Sequence, residues 1–226
     1  MSTRISKAHT GFRGSDRSLI AAMCGFLALF VLSVVVPSIA GGGTMPAPGA
    51  PATDLQQWAG HRTAVIAAGA LMMAAAGAVA VFGDLLGHRL AAAGPAGRGP
   101  VVVRSAAIAA AVALAACGVV VMLLGNRGTT ASADSVATLG RAAFALGGPV
   151  HTLLLGGVTL GWALTLTRLG GSRPAIVAMG ILSALCALSA GAVFSDALVP
   201  LVPIGRFPTM LGLLLGTVRW LPRPET

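Results

Sequence analysis

The sequence predicts an all-α integral membrane protein: a bundle of six transmembrane helices with both ends on the cytoplasmic side. Three observations carry that prediction. Of the 226 residues, 56% are hydrophobic and only 9% are charged, whereas a soluble domain is about a quarter charged. Apolar runs of about 20 residues, enough helix to cross a ~30 Å hydrocarbon core, recur six times. Arg and Lys punctuate these runs instead of gathering on one face. The net charge of +9 therefore marks loops flanking membrane helices and excludes a nucleic-acid surface, which needs clustered basic residues.

Residues 1–17 form a polar, basic tail on the cytoplasmic side. The transmembrane domain covers 18–221, and 222–226 make a cytoplasmic C-terminal tail. Segment one is Ser18–Ile39. "PSIA" before "GGG" leaves a cleaved signal peptide as an alternative, but the apolar run exceeds the 7–15 residues typical of one. Residues 40–62 form the longest outer loop, Gly/Pro/Ala-rich at first. Its second half, "TDLQQWAGHR", predicts an amphipathic turn at the interface, capped by Thr53 or Asp54, with Trp58 at headgroup level. Segment two is Thr63–Gly83 and segment three is Arg104–Gly125. Segment four, Leu139–Thr167, is long enough to be tilted or kinked. Segment five is Pro174–Ser195. Segment six, Val199–Val218, is interrupted by Pro200, Pro203, Arg206 and Pro208, which predicts an irregular start that turns helical near Phe207.

Orientation follows from the basic residues. With the N-terminus inside, eleven of the fifteen Lys and Arg residues fall on the inner side. Arg62, Arg127, Arg141 and Arg206 fall outside. That asymmetry predicts N-in and C-in in a cell membrane.

Helices in lipid associate by close backbone packing, which small residues permit. Gly83/Gly87, Gly157/Gly161 and Gly212/Gly216 have the four-residue spacing. Segments two and three are small-residue surfaces almost all round and are expected in the bundle middle. Cys24, Cys117 and Cys186 lie inside apolar runs without metal-ligand spacing and are expected to be small buried hydrophobes.

Ionisable groups inside a span are costly and often functional. His151 is the one histidine clearly within a span, following Gly147-Gly148-Pro149. Two readings of that stretch stand side by side. In one, Gly-Gly-Pro unwinds the helix; the freed carbonyls and His151 line a small polar pocket, with Asp196 and Arg206 at its mouth and Arg141 nearby. In the other, Pro149 is the first turn of the membrane helix, residues 136–146 form a separate interfacial helix, and His151 lies near the outer headgroups. Asp84 and His88, one turn apart, end segment two at the inner face beside Arg89. One deep histidine excludes a bis-histidine haem, and the lone lysine, Lys7, excludes a retinal pigment. No cofactor or metal is expected, and no motif names a reaction.

Three stretches carry a resemblance: "LQQWAGHRTAVIAAGALM" into segment two with "FGDLLGHRL" out of it, "LTLTRLGGSRPAIVAMGIL" linking four to five, and the closing "LGLLLGTVRWLP". Together they resemble small six-span integral membrane proteins of actinobacteria, most of them uncharacterised. The resemblance implies architecture and no activity. The expected role is a non-enzymatic accessory or binding subunit in contact with lipid, partner helices or its own copies. A carrier using the Gly147–Pro149 kink with His151, and a membrane enzyme acting on a lipid or isoprenoid, are the alternatives.

Overall fold

The computed structural model describes residues 17–94 and 97–221, the side chain of Asp196 excepted. The two tails, apart from Arg17, lie outside the described residues. Eight α-helices account for most of the remainder, with no strand among the described residues. They are α1 (Arg17–Ile39), α2 (Ala52–Gly60), α3 (Arg62–Ala92), α4 (Gly99–Arg127), α5 (Ala133–Ala145), α6 (His151–Arg168), α7 (Arg173–Ser189) and α8 (Leu201–Arg219). A π-turn at Leu146–Val150 joins α5 to α6, so Ala133–Arg168 counts as one kinked span. Six stretches in all are long and apolar enough to cross a membrane.

Each span packs on the next in sequence, and the last returns to the first. The order α1, α3, α4, α6, α7, α8 thus closes into a ring, with α1 against α8 and α6 reaching inward to touch α8. The most extensive seam is α3 on α4, as the small-residue surfaces of segments two and three predict. Gly69 and Gly118 face each other there: a Cβ on either would sit 2.6 Å from the other's carbonyl oxygen. Further along the same seam, a Cβ on Gly83 would collide with the Ala107 methyl. On the other side of α4, Gly161 faces Gly99, and a Cβ on Gly99 would lie 2.6 Å from the Gly161 oxygen. Backbone contact of this kind gives dispersion and weak polar attraction that lipid cannot match.

The main core joins Leu19, Met23, Phe26 and Phe30 of α1 to Phe82 and Leu86 of α3, Leu114 of α4, Trp162 of α6 and Met210 of α8. α1 is therefore an integral part of the packing. A second cluster gathers Leu55 and Trp58 of α2 with Val65, Val121, Val136 and Ala143.

Several expectations are corrected in detail. The amphipathic turn after the outer loop is a helix, α2, but neither Thr53 nor Asp54 caps it. Pro51 occupies the N-cap with no side-chain bond, its fixed φ suiting a helix start. Trp58 is only 4% exposed: the indole turns inward onto α3, α4 and α5 instead of lying open at the surface. Segment two runs on to Ala92, because nothing in "DLLGHRLAA" breaks a helix. Segment six is helical from Leu201. Pro200 is its N-cap and Pro203 lies in the first turn, where a missing N–H costs nothing; only Pro208 removes an interior bond. Of the three cysteines, Cys117 and Cys186 are buried but Cys24 is exposed on the outer face of α1.

Candidate functional site: a kinked helix closed by a buried arginine

The π-turn exists because of its residues. In a regular helix the His151 N–H would bond to the carbonyl four residues back, that of Gly147. Pro149 supplies no N–H of its own and its ring crowds the preceding turn. Gly148 leaves the helical region, with φ −93° and ψ −106°. The His151 N–H turns to the Leu146 and Gly148 carbonyls instead. The Gly147 carbonyl is left without its helical donor.

Arg206 fills that gap. Its Nη2 donates to the Gly147 carbonyl and, at 2.7 Å, to the Gly148 carbonyl. Its Nε donates to Thr152 Oγ1 at 3.1 Å, and that hydroxyl donates in turn to the Gly148 carbonyl at 2.8 Å. The guanidinium carbon lies 5.1 Å from the centre of the Phe30 ring, within cation–π range. α8 comes close enough to make these bonds because Gly205 lies against α7; a Cβ there would be 2.9 Å from the Leu185 oxygen. Among the described residues, the partners of the cation are two carbonyls, a hydroxyl and a ring face. Oriented dipoles of this kind replace the water that a buried guanidinium loses.

His151 begins α6 and is fully buried. Its Nδ1 lies 3.0 Å from the Ala110 carbonyl. A carbonyl can only accept, so Nδ1 carries the hydrogen of this bond. Nε2 has no partner among the described residues. The ring meets Phe26 edge-on at 6.0 Å. Ala110 lies near the middle of α4, so His151 sits level with the centre of the bundle, deeper than counting from Arg141 and Arg168 suggests.

The remaining candidates scatter. Arg141 is exposed on α5, away from the kink bonds. The side chain of Asp196 lies outside the described residues, so its expected pairing with Arg206 does too. Arg206 is not at a pocket mouth: it is 9% exposed inside the bundle, so it is not a loop residue. Asp84 and His88 do meet, at 3.6 Å. Arg104 of α4 joins them, its Nη2 2.8 Å from Asp84 Oδ1. All three side chains are about half exposed, which marks a screened surface ion cluster of small energetic weight.

Sequence reasoning missed Thr152, Phe26 and Phe30, and two thiols beside the site. Cys117 Sγ donates to the Ala143 carbonyl at 3.3 Å. Cys186 Sγ lies 3.1 Å from Thr209 Oγ1. The one available signal was a charged residue, Arg206, in a stretch otherwise fit to span; the Phe positions carry none. Comparison with protein-family models, with curated proteins and with solved structures returns no match.

Proposed function

We propose that this multi-pass membrane protein acts as a non-enzymatic accessory or binding subunit, holding partner helices, copies of itself or lipid against its apolar outer faces. The observation that supports this reading is the self-sufficiency of the kink. Arg206, Thr152 and the two glycine carbonyls occupy one another, so these buried polar groups serve to lock α8 to the kink and the start of α6. Outside, α7 and α8 carry apolar stripes: Val177, Ile181 and Leu188 on one, Ile204, Leu211, Leu215 and Val218 on the other. The likeness to six-span actinobacterial proteins and a cell-membrane location belong to the same proposal. Native mass spectrometry after direct extraction into lipid nanodiscs tests it. The expected result is a second protein mass, a multiple of the chain mass, or a distinct retained lipid. A bare monomer with none of these overturns the reading.

One observation favours a second reading, a carrier for a small molecule that works through the kink: the unpartnered Nε2 of fully buried His151. A cysteine at Thr152 separates the two. The accessory reading expects no reaction with a water-soluble thiol reagent; labelling from the outside favours the carrier.

A further inference from the structure

Three spans end together at one corner of the bundle. α6 finishes at Arg168, α7 begins at Arg173 and α8 finishes at Arg219, and a cleft of ≈ 280 Å³ lies between these ends. Leu166, Leu169, Ala175 and Leu221 supply its apolar wall, and Ser172, Arg219 and Trp220 bring polar groups to it. Span ends mark the edge of the hydrocarbon, so the cleft lies at headgroup depth, whichever side of the bilayer this is. Trp220 is a residue type that favours that depth.

The positive charge at this corner has no internal answer. Arg168, Arg173 and Arg219 are exposed, and among the described residues the ion pairs involve none of them. The one carboxylate at this end of the bundle among those residues is Asp84, and Arg104 holds it at 2.8 Å. Ser172 precedes α7, and its hydroxyl takes no bond from a helix N–H. A cation and a hydroxyl beside an apolar wall, in a cleft between membrane helices, match a phosphate carried on hydrocarbon chains.

We infer that the cleft between the ends of α6, α7 and α8 binds the headgroup of an anionic phospholipid, with Arg219 as the counter-charge of its phosphate, Ser172 as a hydrogen-bond donor and the leucines along the start of its chains. The size fits: a void of ~150 Å³ takes up benzene, so this one holds a phosphate with its glycerol. The inference deepens the accessory reading, on whose lipid contact it rests, by naming the lipid and its place.

The test titrates the full chain in neutral detergent with dioleoylphosphatidylglycerol or dioleoylphosphatidylcholine and reads retained lipid by native mass spectrometry. The two lipids share chains and phosphate, but choline neutralises the second headgroup. Phosphatidylglycerol is expected to bind about fivefold more tightly, the weight of one cation at an anionic surface. Arg219→Gln should bring it down to the phosphatidylcholine level, and so should Ser172→Glu, which puts a carboxylate on the wall. Arg127→Gln removes an exposed arginine at the opposite end of α4 and should leave the preference intact. sn-Glycerol 3-phosphate, the phosphate without chains, should not displace the lipid. Equal binding of the two lipids, an equal loss in Arg219→Gln and Arg127→Gln, or displacement by glycerol phosphate overturns the inference. If the nanodisc spectrum shows a second protein or a multiple of the chain mass while the two lipids bind equally, this inference alone falls and the accessory reading stands. The comparison of the two lipids needs no variant, so it decides even if a substitution disturbs folding.

Discussion

Arg206 is the side chain on which the interior depends most. It carries a full charge into the bundle, and what offsets that is geometric: a flat fork that reaches two carbonyls and a hydroxyl at once. Lys, with one compact ammonium on a flexible stem, cannot span the same three oxygens. Arg206→Met leaves the Gly147 carbonyl without its side-chain donor and takes away the Nε–H that Thr152 Oγ1 accepts. Helix-to-helix hydrogen bonds in bilayers average ~0.6 kcal/mol each, so three bonds predict a loss of about 2 kcal/mol, read as a lowered midpoint in a detergent-denaturation titration. Arg206→Lys should recover less than half of it. A wild-type midpoint for Arg206→Met would show that the kink needs no external donor. His151→Phe should cost less, about 1 kcal/mol, because it removes one bond to Ala110 and also the unpaired Nε2. Part of this was legible in the chain: Gly-Gly-Pro before His151 signals a kink, and the structure has one. The partner was harder to find. Arg206 looked like a loop residue because three prolines surround it, and nothing local shows that a residue 59 positions from Gly147 folds back onto it. Phe26 and Phe30 are indistinguishable in sequence from residues that face lipid.

At the level of helices, apolar length and charge placement were enough to find all six spans, because the bilayer imposes one length on every crossing. Interfaces were another matter. In a chain with 31 glycines a four-residue spacing arises often by chance, so it does not say which glycine meets which. The mutual approach of Gly69 and Gly118 is a pairing across helices with no short-range signature. Its consequence can be measured. Gly118→Ala places a methyl 2.6 Å from the Gly69 oxygen, and neither backbone can yield without moving a helix. The expected cost is about 1–3 kcal/mol, the range for an overpacked core. Gly77→Ala, on the facing helix α3 and with nothing within 4 Å of the added carbon, should be neutral or stabilise by up to about 1 kcal/mol, because Ala is the better helix former. Thermal unfolding of the two variants side by side checks this. Equal effects would mean that the α3/α4 seam is looser than the glycine contact requires. Segment six shows the opposite error. Proline content suggested an irregular start, but the positions of Pro200 and Pro203 within the first turn make them compatible with a helix from Leu201.

For the whole molecule, the ring closes only because α8 returns to α1, and the bonds that secure the return run from Arg206 to the α5–α6 kink and to Phe30. Six crossings place the two ends on the same side of the bilayer, whichever side that is. Charge chooses between the two orientations. With Arg206 inside the bundle the outer side keeps only Arg62, Arg127 and Arg141. Arg62 keeps its full charge: its Nη2 donates to the neutral Asn126 Oδ1 at 2.9 Å. On the positive-inside rule the basic residues predict cytoplasmic ends. A cysteine at Ala50, in the loop between α1 and α2, should react with a membrane-impermeant maleimide in intact cells. A cysteine at Arg98, in the connection between α3 and α4, should react only after the membrane is permeabilised. Native Cys24 serves as the internal control: it is exposed on α1 among residues that face hydrocarbon, where a charged reagent does not go, so it should stay unlabelled in both states. The reverse pattern at 50 and 98 would invert the protein in the bilayer while leaving every packing contact as it is, and the basic residues would then have to be explained by something other than insertion.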